Sequence, residues 1–142
     1  MNTAIYQYHR HDTNSQDMNQ SGEHLILSAV TMCKDKAAAL YGDDQHFMTY
    51  IDTEHKMIES ECLKGAIVRP ELERMLSDIE KGRIDLVVVT YMGAIASDFN
   101  FIIAFYIYLC QHKVKLITVR EGERIIELME KALEEYRKNS GL

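Results

Sequence analysis

The amino-acid sequence predicts an α/β fold: a three-layer sandwich in which helices cover both faces of a mostly parallel, four-stranded sheet. The first observation is a short apolar run, Leu86 to Val89 preceded by Ile84, that contains three consecutive valines. A run without polar alternation is typical of a strand that is buried on both faces. The second observation is that strand-like and helix-like segments alternate along the chain, as they do when crossover helices join parallel strands.

The individual elements follow from composition and periodicity. Runs rich in β-branched and aromatic residues predict strands at residues 3–11, 47–51, 84–89 and 114–119. Apolar residues at helical spacing predict helices at residues 17–40 (as one helix or two shorter ones), 70–81, 98–112 and 122–138. Residues 53–68 have no clear periodicity, so we expect an irregular segment there.

Two of these elements carry a further expectation. In the first strand, alternation places Tyr6 and Tyr8 on one face and Ile5 and Gln7 on the other. The helix at residues 98–112 is apolar nearly all round, which indicates either deep burial or contact with a partner. The helix at residues 122–138 is amphipathic, and its apolar face is therefore a second candidate for core or interface.

Length, charge and cysteine content restrict the class of protein. With 142 residues, the chain is predicted to be a single domain, with a core at residues 1–121, a C-terminal helix at 122–142 and no separate DNA-binding domain. A net charge of −6 argues against a general nucleic-acid-binding surface. Three widely spaced cysteines predict reduced thiols. The absence of a signal-peptide pattern and of a long apolar span predicts a cytoplasmic protein.

Common catalytic and cofactor motifs are missing from the sequence. It contains no glycine-rich phosphate loop, no GxSxG and no HExxH, so no cofactor is predicted. His9 and His11 have a spacing that a metal could use, but no third ligand is evident and no metal site is predicted. Asp12, Asp52 and Asp98 lie at predicted strand ends or just after them, where helix caps are more common than catalytic groups.

Two stretches of the sequence are distinctive when they are taken together. The first, RPELERMLSDIEKGRIDLVVV at residues 69–89, leads from an Arg-Pro helix start through a Lys-Gly-Arg-Ile-Asp turn into the valine-rich strand. The second, at residues 8–13, is Tyr-His-Arg-His-Asp-Thr. Both resemble the catalytic domain of the serine site-specific recombinases, the resolvase/invertase family, in which the second stretch is Tyr-x-Arg-x-Ser-Thr. The resemblance extends over roughly residues 3–125 and implies the same type of α/β sandwich.

The resemblance implies an active site in which a serine attacks a DNA phosphodiester. At the position of that serine this sequence has Asp12, whose carboxylate repels phosphate, and the hydroxyl of Thr13 is one residue away. After the central strand the family has Asp-Arg-Leu-Ser-Arg, whose arginines bind the phosphate, whereas residues 93–97 are Gly-Ala-Ile-Ala-Ser. Loss of one preorganised donor costs about 2.7–4 kcal/mol of transition-state stabilisation. We therefore expect no catalysis of strand transfer.

Four residues still match active-site positions of the family: Arg10, Gln16, Asp52 and Arg69. In the favoured interpretation, Arg10 is retained as an ion-pair partner of Asp12. In the same interpretation, Arg69 is the ion-pair partner of Asp52. The alternative is that these residues form a residual anion-binding pocket.

The leading hypothesis is a catalytically inactive recombinase-like domain that acts through protein contacts as a regulator or assembly partner, with an active recombinase as a candidate partner. We expect a homo-oligomer, either a dimer or a tetramer, with neither DNA binding by the chain alone nor membrane association. The predicted interface consists of residues from the last two helices: Phe101, Ile102, Phe105, Tyr106, Leu109, Ile125, Met129, Leu133 and Tyr136.

Two alternatives keep a chemical function for the chain. In the first, it is a small enzyme or a domain that binds an anionic, phosphate-bearing ligand in the pocket around Asp12, Arg10, Asp52 and Arg69. Asp12 would then be a carboxylate nucleophile or a general base. In the second, the chain is a divergent but active recombinase subunit. Response to phosphate ligands distinguishes the first alternative, and DNA cleavage distinguishes the second.

Overall fold

The structure is a computed structural model that describes residues 1–9, 18–53, 69–96 and 99–139, without the side chains of residues 18–24 and of Tyr136. The strands are β1 (Asn2–His9), β2 (His46–Thr53), β3 (Leu86–Val89) and β4 (Lys115–Thr118). The α-helices are α1 (Met18–Tyr41), α2 (Pro70–Glu80), α3 (Phe99–Gln111) and α4 (Glu123–Asn139), and a short 3-10 turn spans Met92–Ala94. The predicted α/β class is confirmed, and residues 17–40 contain one helix rather than two.

The four strands form one sheet in the order β2-β1-β3-β4, and every pair of neighbours is parallel. Strand β1 pairs along its whole length with β2, and β3 lies on its other side. This arrangement places β1 and β3 in the centre, where Ile5, Val87 and Val88 are completely buried. The continuous valine run is therefore a strand that is covered on both faces, as its lack of polar alternation predicts.

Helix α1 covers one face of the sheet. Its residues Val30, Cys33 and Ala37 pack against Ile5 and Val88 of the central strands. The three helical residues are spaced three and four positions apart, so they lie on one side of the helix and give it a narrow buried stripe. The prediction that Ile5 lies on the face opposite Tyr6 and Tyr8 is confirmed by this packing.

Helices α2, α3 and α4 contribute to a second core on the other face. The side chains of Tyr6 and Tyr50 are completely buried there, together with Met75 of α2 and Leu109 of α3. Met129 of α4 joins the same cluster. This larger core explains why the sheet face beneath it carries bulky aromatic residues, whereas the α1 face carries smaller aliphatic ones.

The predicted interface on α3 and α4 needs correction. Phe105, Tyr106, Leu109 and Met129 are at most 5% exposed, because they fill the space between their helices and the sheet within a single chain. They are core residues of the folded chain, and of these four only Tyr106 also lines a surface groove, beside Glu130. Of the other predicted residues, Phe101 is 43% exposed. Ile102, Ile125 and Leu133 are partly buried, and the side chain of Tyr136 lies outside the description.

None of the helices in the described ranges has the length and apolar character needed to cross a membrane. The longest, α1, keeps charged residues on its outer side, including Lys34 and Asp35.

Candidate functional site at the carboxyl edge of the sheet

All four strands end at the same edge of the sheet, because they are parallel, and this is the edge at which α/β proteins commonly bind ligands. The register places Tyr8 of β1 beside Asp52 of β2, and β3 leads into the turn that contains Gly93. Arg69 lies directly before α2 and reaches the same edge. The structure thus brings together Asp52, Arg69 and the turn after β3, as the sequence predicts for a shared edge. The other four predicted site residues lie outside the described residues: Arg10, Asp12, Thr13 and Gln16.

The carboxylate of Asp52 is almost completely buried and has three donors around it. Its Oδ1 accepts a hydrogen bond from the backbone N–H of Glu71 at 2.9 Å, and its Oδ2 accepts one from the N–H of Leu72 at 2.9 Å. The hydroxyl of Tyr6 also donates to Oδ2, at 2.9 Å. These N–H groups belong to the first turn of α2, which has no helical partner for them. Asp52 therefore caps α2 from a neighbouring strand, and its negative charge lies at the positive end of the helix.

The pKa of the Tyr6 phenol depends on its burial and on the carboxylate of Asp52. Burial raises the pKa of Tyr6 above the ordinary value for tyrosine, and the hydrogen bond to Asp52 together with its charge raises it further. The guanidinium of Arg69 acts in the opposite direction and is weaker. Tyr6 is completely buried, so it remains a neutral hydrogen-bond donor to Asp52 across the physiological pH range.

Arg69 contacts backbone and an aromatic ring. Its guanidinium lies over the ring of Tyr8, 3.9 Å from the ring centroid, and donates hydrogen bonds to the carbonyl oxygens of Ala94, at 3.2 Å, and Ile95. The expectation that Arg69 pairs with Asp52 is wrong: within the described ranges the ion pairs join Arg74 to Glu71 and Arg83 to Asp78. The reason is that the donors of α2 already occupy Asp52, while the turn after β3 offers Arg69 the carbonyls of Ala94 and Ile95.

The turn after β3 has no room for a side chain at Gly93 unless the ring of Tyr91 moves. A Cβ atom added to Gly93 would lie 2.6 Å from Cε2 and 2.9 Å from Cδ2 of Tyr91. The turn is also bound to the segment that follows β4, because the N–H of Met92 donates to Oε1 of Glu121 at 2.8 Å. Any residue with a side chain at position 93 must displace Tyr91, on whose ring the guanidinium of Arg120 stacks at 5.0 Å.

Sequence reasoning did not identify Tyr6, Tyr91, Arg120 or Glu121 as parts of this edge. A signal was present for two of them: Arg120 and Glu121 directly follow the last predicted strand, so a parallel sheet brings them to the same edge as Asp52. For Tyr6 the signal is weaker, since it depends on the strand register: Tyr6 lies two pairs before Asp52, on the same face of the sheet, and this places its hydroxyl within reach. Tyr91 could not be found, because its contact with Gly93 depends on the backbone of the turn.

The side chains of Asp52 and Arg69 bind groups of the protein itself and leave few groups free for a ligand. Both oxygens of Asp52 accept hydrogen bonds from within the chain, and the guanidinium of Arg69 points at carbonyls. The described part of the edge carries two carboxylates, Asp52 and Glu121, and two guanidiniums, Arg69 and Arg120, so it has no excess of positive charge for a phosphate diester. No cluster of metal-binding side chains is present in the part of the chain that the structure describes.

Comparison with protein-family models identifies one match that spans nearly the whole chain. The family described as "Resolvase, N terminal domain" matches residues 6–139. No curated protein sequence gives a significant match.

Solved structures with the same fold come from the same kind of protein. The N-terminal catalytic domain of TP901-1 integrase superposes with a TM-score of 0.63 at 17% identity, covering 97% of this chain and 98% of that one. A resolvase family site-specific recombinase from Streptococcus pneumoniae gives 0.60 at 21% identity, with coverages of 98% and 89%. The C-terminal catalytic domain of ISC1926 TnpA, an IS607-like serine recombinase, gives 0.58 at 15% identity, with coverages of 99% and 84%. At these identities the likeness establishes the fold.

Replacement of the capping carboxylate tests its structural role. We expect Asp52→Ala to lower the free energy of unfolding by about 2–4 kcal/mol, because it removes a helix cap and leaves buried donors without an acceptor. Urea unfolding measures the loss, and amide hydrogen exchange should accelerate at Glu71 and Leu72. The control is Asp35→Ala on the exposed side of α1, which should change stability by less than about 0.5 kcal/mol. Equal effects of the two substitutions would contradict the capping role.

The raised pKa of Tyr6 predicts how stability changes in alkali. The stabilisation is fully present below the pKa of an unfolded tyrosine, about 10, and is lost as the pH rises above it. Between pH 10 and 11 the wild type should therefore lose about 1 kcal/mol more stability than Tyr6→Phe, since the unfolded tyrosine ionises over this range. Urea unfolding between pH 8 and 11 measures both slopes. Tyr41→Phe, at an exposed position, should retain the wild-type slope; a slope unchanged in Tyr6→Phe would refute the assignment.

Proposed function

Because the chain belongs to the resolvase family, as a resolvase N-terminal domain, we propose that it is a catalytically inactive serine-recombinase-like domain. It acts through protein–protein contacts, as a regulator or assembly partner in DNA recombination or its control. The family and fold relate the chain to DNA recombination. Inactivity and a regulatory role are the additional steps, and they depend on the residues at the carboxyl edge of the sheet.

One observation carries the proposal: the two retained family-type residues in the described ranges both bind the protein's own backbone. Asp52 caps α2, and Arg69 holds the carbonyls of Ala94 and Ile95. Neither side chain is arranged to bind a phosphate. The resemblance places the first of the two phosphate-binding arginines at Ala94, which has no side-chain donor.

Replacement of the family's two arginines should remove much of the stabilisation of the transition state. The resemblance places arginines at positions 94 and 97, where this chain has Ala94 and Ser97. Two missing donors at about 2.7–4 kcal/mol each correspond to roughly 5–8 kcal/mol of transition-state stabilisation, or about four to six orders of magnitude in rate. Restoring the aspartate of the family pattern at Gly93 would also collide with Tyr91. The turn has therefore been rebuilt around small side chains, which supports loss of catalysis rather than a minor variation of it.

The phosphate-ligand alternative receives less support from the described residues. It needs Asp52 or Arg69 to face a ligand, and both have partners inside the chain. Arg120 is exposed at the same edge, but its guanidinium stacks on Tyr91 and the neighbouring Glu121 places a carboxylate beside the turn.

The catalytic part of the proposal is tested with DNA. The purified chain is incubated with supercoiled plasmid, and nicked, linear and protein-linked DNA are measured by agarose and denaturing protein gels. We expect no cleavage and no covalent adduct, because a nucleophile and two cations of the family pattern are replaced. An adduct that persists in a catalytically unrelated variant such as Asp35→Ala, but disappears in Asp12→Ala or Thr13→Ala, would overturn the proposal and identify the nucleophile.

The self-association part is tested by light scattering at several concentrations. Phe101, 43% exposed on α3, is the most exposed of the predicted interface residues whose side chains the structure describes, and Phe99, two residues before it, is 64% exposed. If these aromatic residues form a contact between copies, the wild type should be a dimer or tetramer, and Phe101→Asp should be a folded monomer. Gln111→Asp, at the other end of α3, should leave the assembly unchanged. A wild-type monomer at all concentrations would exclude the homo-oligomer.

A further inference from the structure

A groove of about 680 Å³ runs along the outer edge of β4, from Val114 to the turn at Gly122. Its floor is β4, and its two sides come from the end of α1 and from α3 with α4. Strand β4 is the last strand in the sheet order, so within the described ranges no strand lies on its outer side. The chain passes from β4 into α4 through a tight turn in which the N–H of Gly122 donates to the carbonyl of Thr118 at 3.2 Å.

The backbone of β4 has hydrogen-bonding groups directed into this groove. The N–H groups of Lys115 and Val119 donate to β3 or to the residue before it, at the carbonyls of Asp85 and Val89. In a parallel ladder, alternate residues face opposite sides, so Leu116 and Thr118 direct their N–H groups away from β3. The carbonyl of Thr118 already accepts the N–H of Gly122, and Thr118 is 1% exposed, so the groups open to an additional strand are the N–H and carbonyl of Leu116. Unpaired groups at a strand edge are the usual docking place for such a strand.

The side of the groove formed by α1 is basic and partly apolar. It contains Lys36, Leu40 and Tyr41. Lys115 of β4 adds a second cation, because its Nζ lies 5.2 Å from the centre of the Tyr41 ring. A strand beside β4 would place every second side chain against this surface, where an acidic side chain is favoured.

The opposite side is acidic and partly apolar. It contains Ile126, Glu127 and Glu130 of α4 together with Tyr106 of α3. The hydroxyl of Tyr106 donates to Oε1 of Glu130 at 3.1 Å and holds that carboxylate at the groove. The remaining side chains of a docked strand would face this surface, where basic residues are favoured.

We propose that this groove binds an extended segment of another protein as a fifth strand beside β4. Acidic side chains of that segment contact Lys36 and Lys115, and the alternate, basic side chains contact Glu127 and Glu130. A second copy of this chain, paired edge to edge about a two-fold axis, is a poor occupant. Such an axis would bring the lysine side of one copy to the lysine side of the other, and glutamates to glutamates.

This inference rests on the proposed function, since it gives the protein contact a location, and the two can fail separately. A protein–DNA adduct would remove the proposed inactivity and leave the groove in place. Failure of strand docking, with no DNA cleavage, would remove the groove as the contact and leave the inactive domain.

The test uses a labelled octapeptide of alternating Glu and Lys, measured by fluorescence anisotropy with the full chain. We expect it to bind at least tenfold more tightly than a peptide of four Glu followed by four Lys. Two further versions carry N-methyl groups at alternate residues, one on every Glu and one on every Lys. In a docked strand only every second N–H faces β4. The version that is methylated at those residues should bind at least tenfold more weakly than the unmodified peptide, and the other version should bind within about threefold of it. Equal binding of both versions, or no binding of the alternating peptide, would overturn the proposal.

Substitutions in the protein give an independent test. Lys36→Glu should weaken binding of the alternating peptide at least fivefold, whereas Lys34→Glu, the same charge change outside the groove, should leave it within twofold. Leu116→Pro removes an N–H that the β3 ladder does not use, and should abolish docking. Because Leu116 is also a core residue, the matched control is Leu116→Ala, which removes the same buried side chain but keeps the N–H and should still bind the peptide. Equal effects of the two lysine substitutions would contradict the proposal. A wild-type dimer that Leu116→Pro converts to a monomer would also overturn it, in favour of a second copy.

Discussion

The carboxylate of Asp52 joins three separate parts of the chain, and the arrangement of the carboxyl edge depends on it. It ends β2, accepts the hydroxyl of Tyr6 from β1, and caps the first turn of α2. Because Arg69 directly precedes that turn, fixing the start of α2 also fixes where its guanidinium lies. Arg69 then holds the carbonyls of Ala94 and Ile95, so the cap at one strand end positions the turn after another.

The elements of the fold could be predicted because their signals are local. A run of valines, an Arg-Pro helix start and alternating β and α segments each depend on neighbouring residues, and the parallel sheet follows from their order. The mutual closeness of Asp52 and Arg69 was predictable for the same reason, since both follow or precede elements that meet at one edge. The bonding partners of Asp52 and Arg69 were not predictable. Their opposite charges suggest an ion pair, whereas both side chains bind backbone groups, and side-chain composition gives no information on which backbone groups need a partner.

Burial on α3 was ambiguous for a different physical reason. A helix that is apolar nearly all round can face the sheet on one side and either another helix or a partner on the other. Here Met129 of α4 reaches the same core, so Phe105 and Leu109 are covered within the chain. The aromatic residues left outside are at the start of the helix, at Phe99 and Phe101. The sequence alone contains no information on how far α4 extends over α3.

An open strand edge is normally an aggregation hazard, because it can pair with any exposed strand. In the proposed docking, the charges beside β4 limit which strands can pair with it. The edge is short, four residues, and it lies between a lysine-bearing side and a glutamate-bearing side. The edge strand of a second sheet would have to bring the helices that cover that sheet into the groove. A single extended segment needs only the width of one strand, and its side chains alternate between the two sides of the groove. The opposite charges also penalise a uniformly acidic or basic strand, because one of its faces always meets like charge. The geometry therefore favours one isolated strand with alternating charge over edge-to-edge association of identical domains.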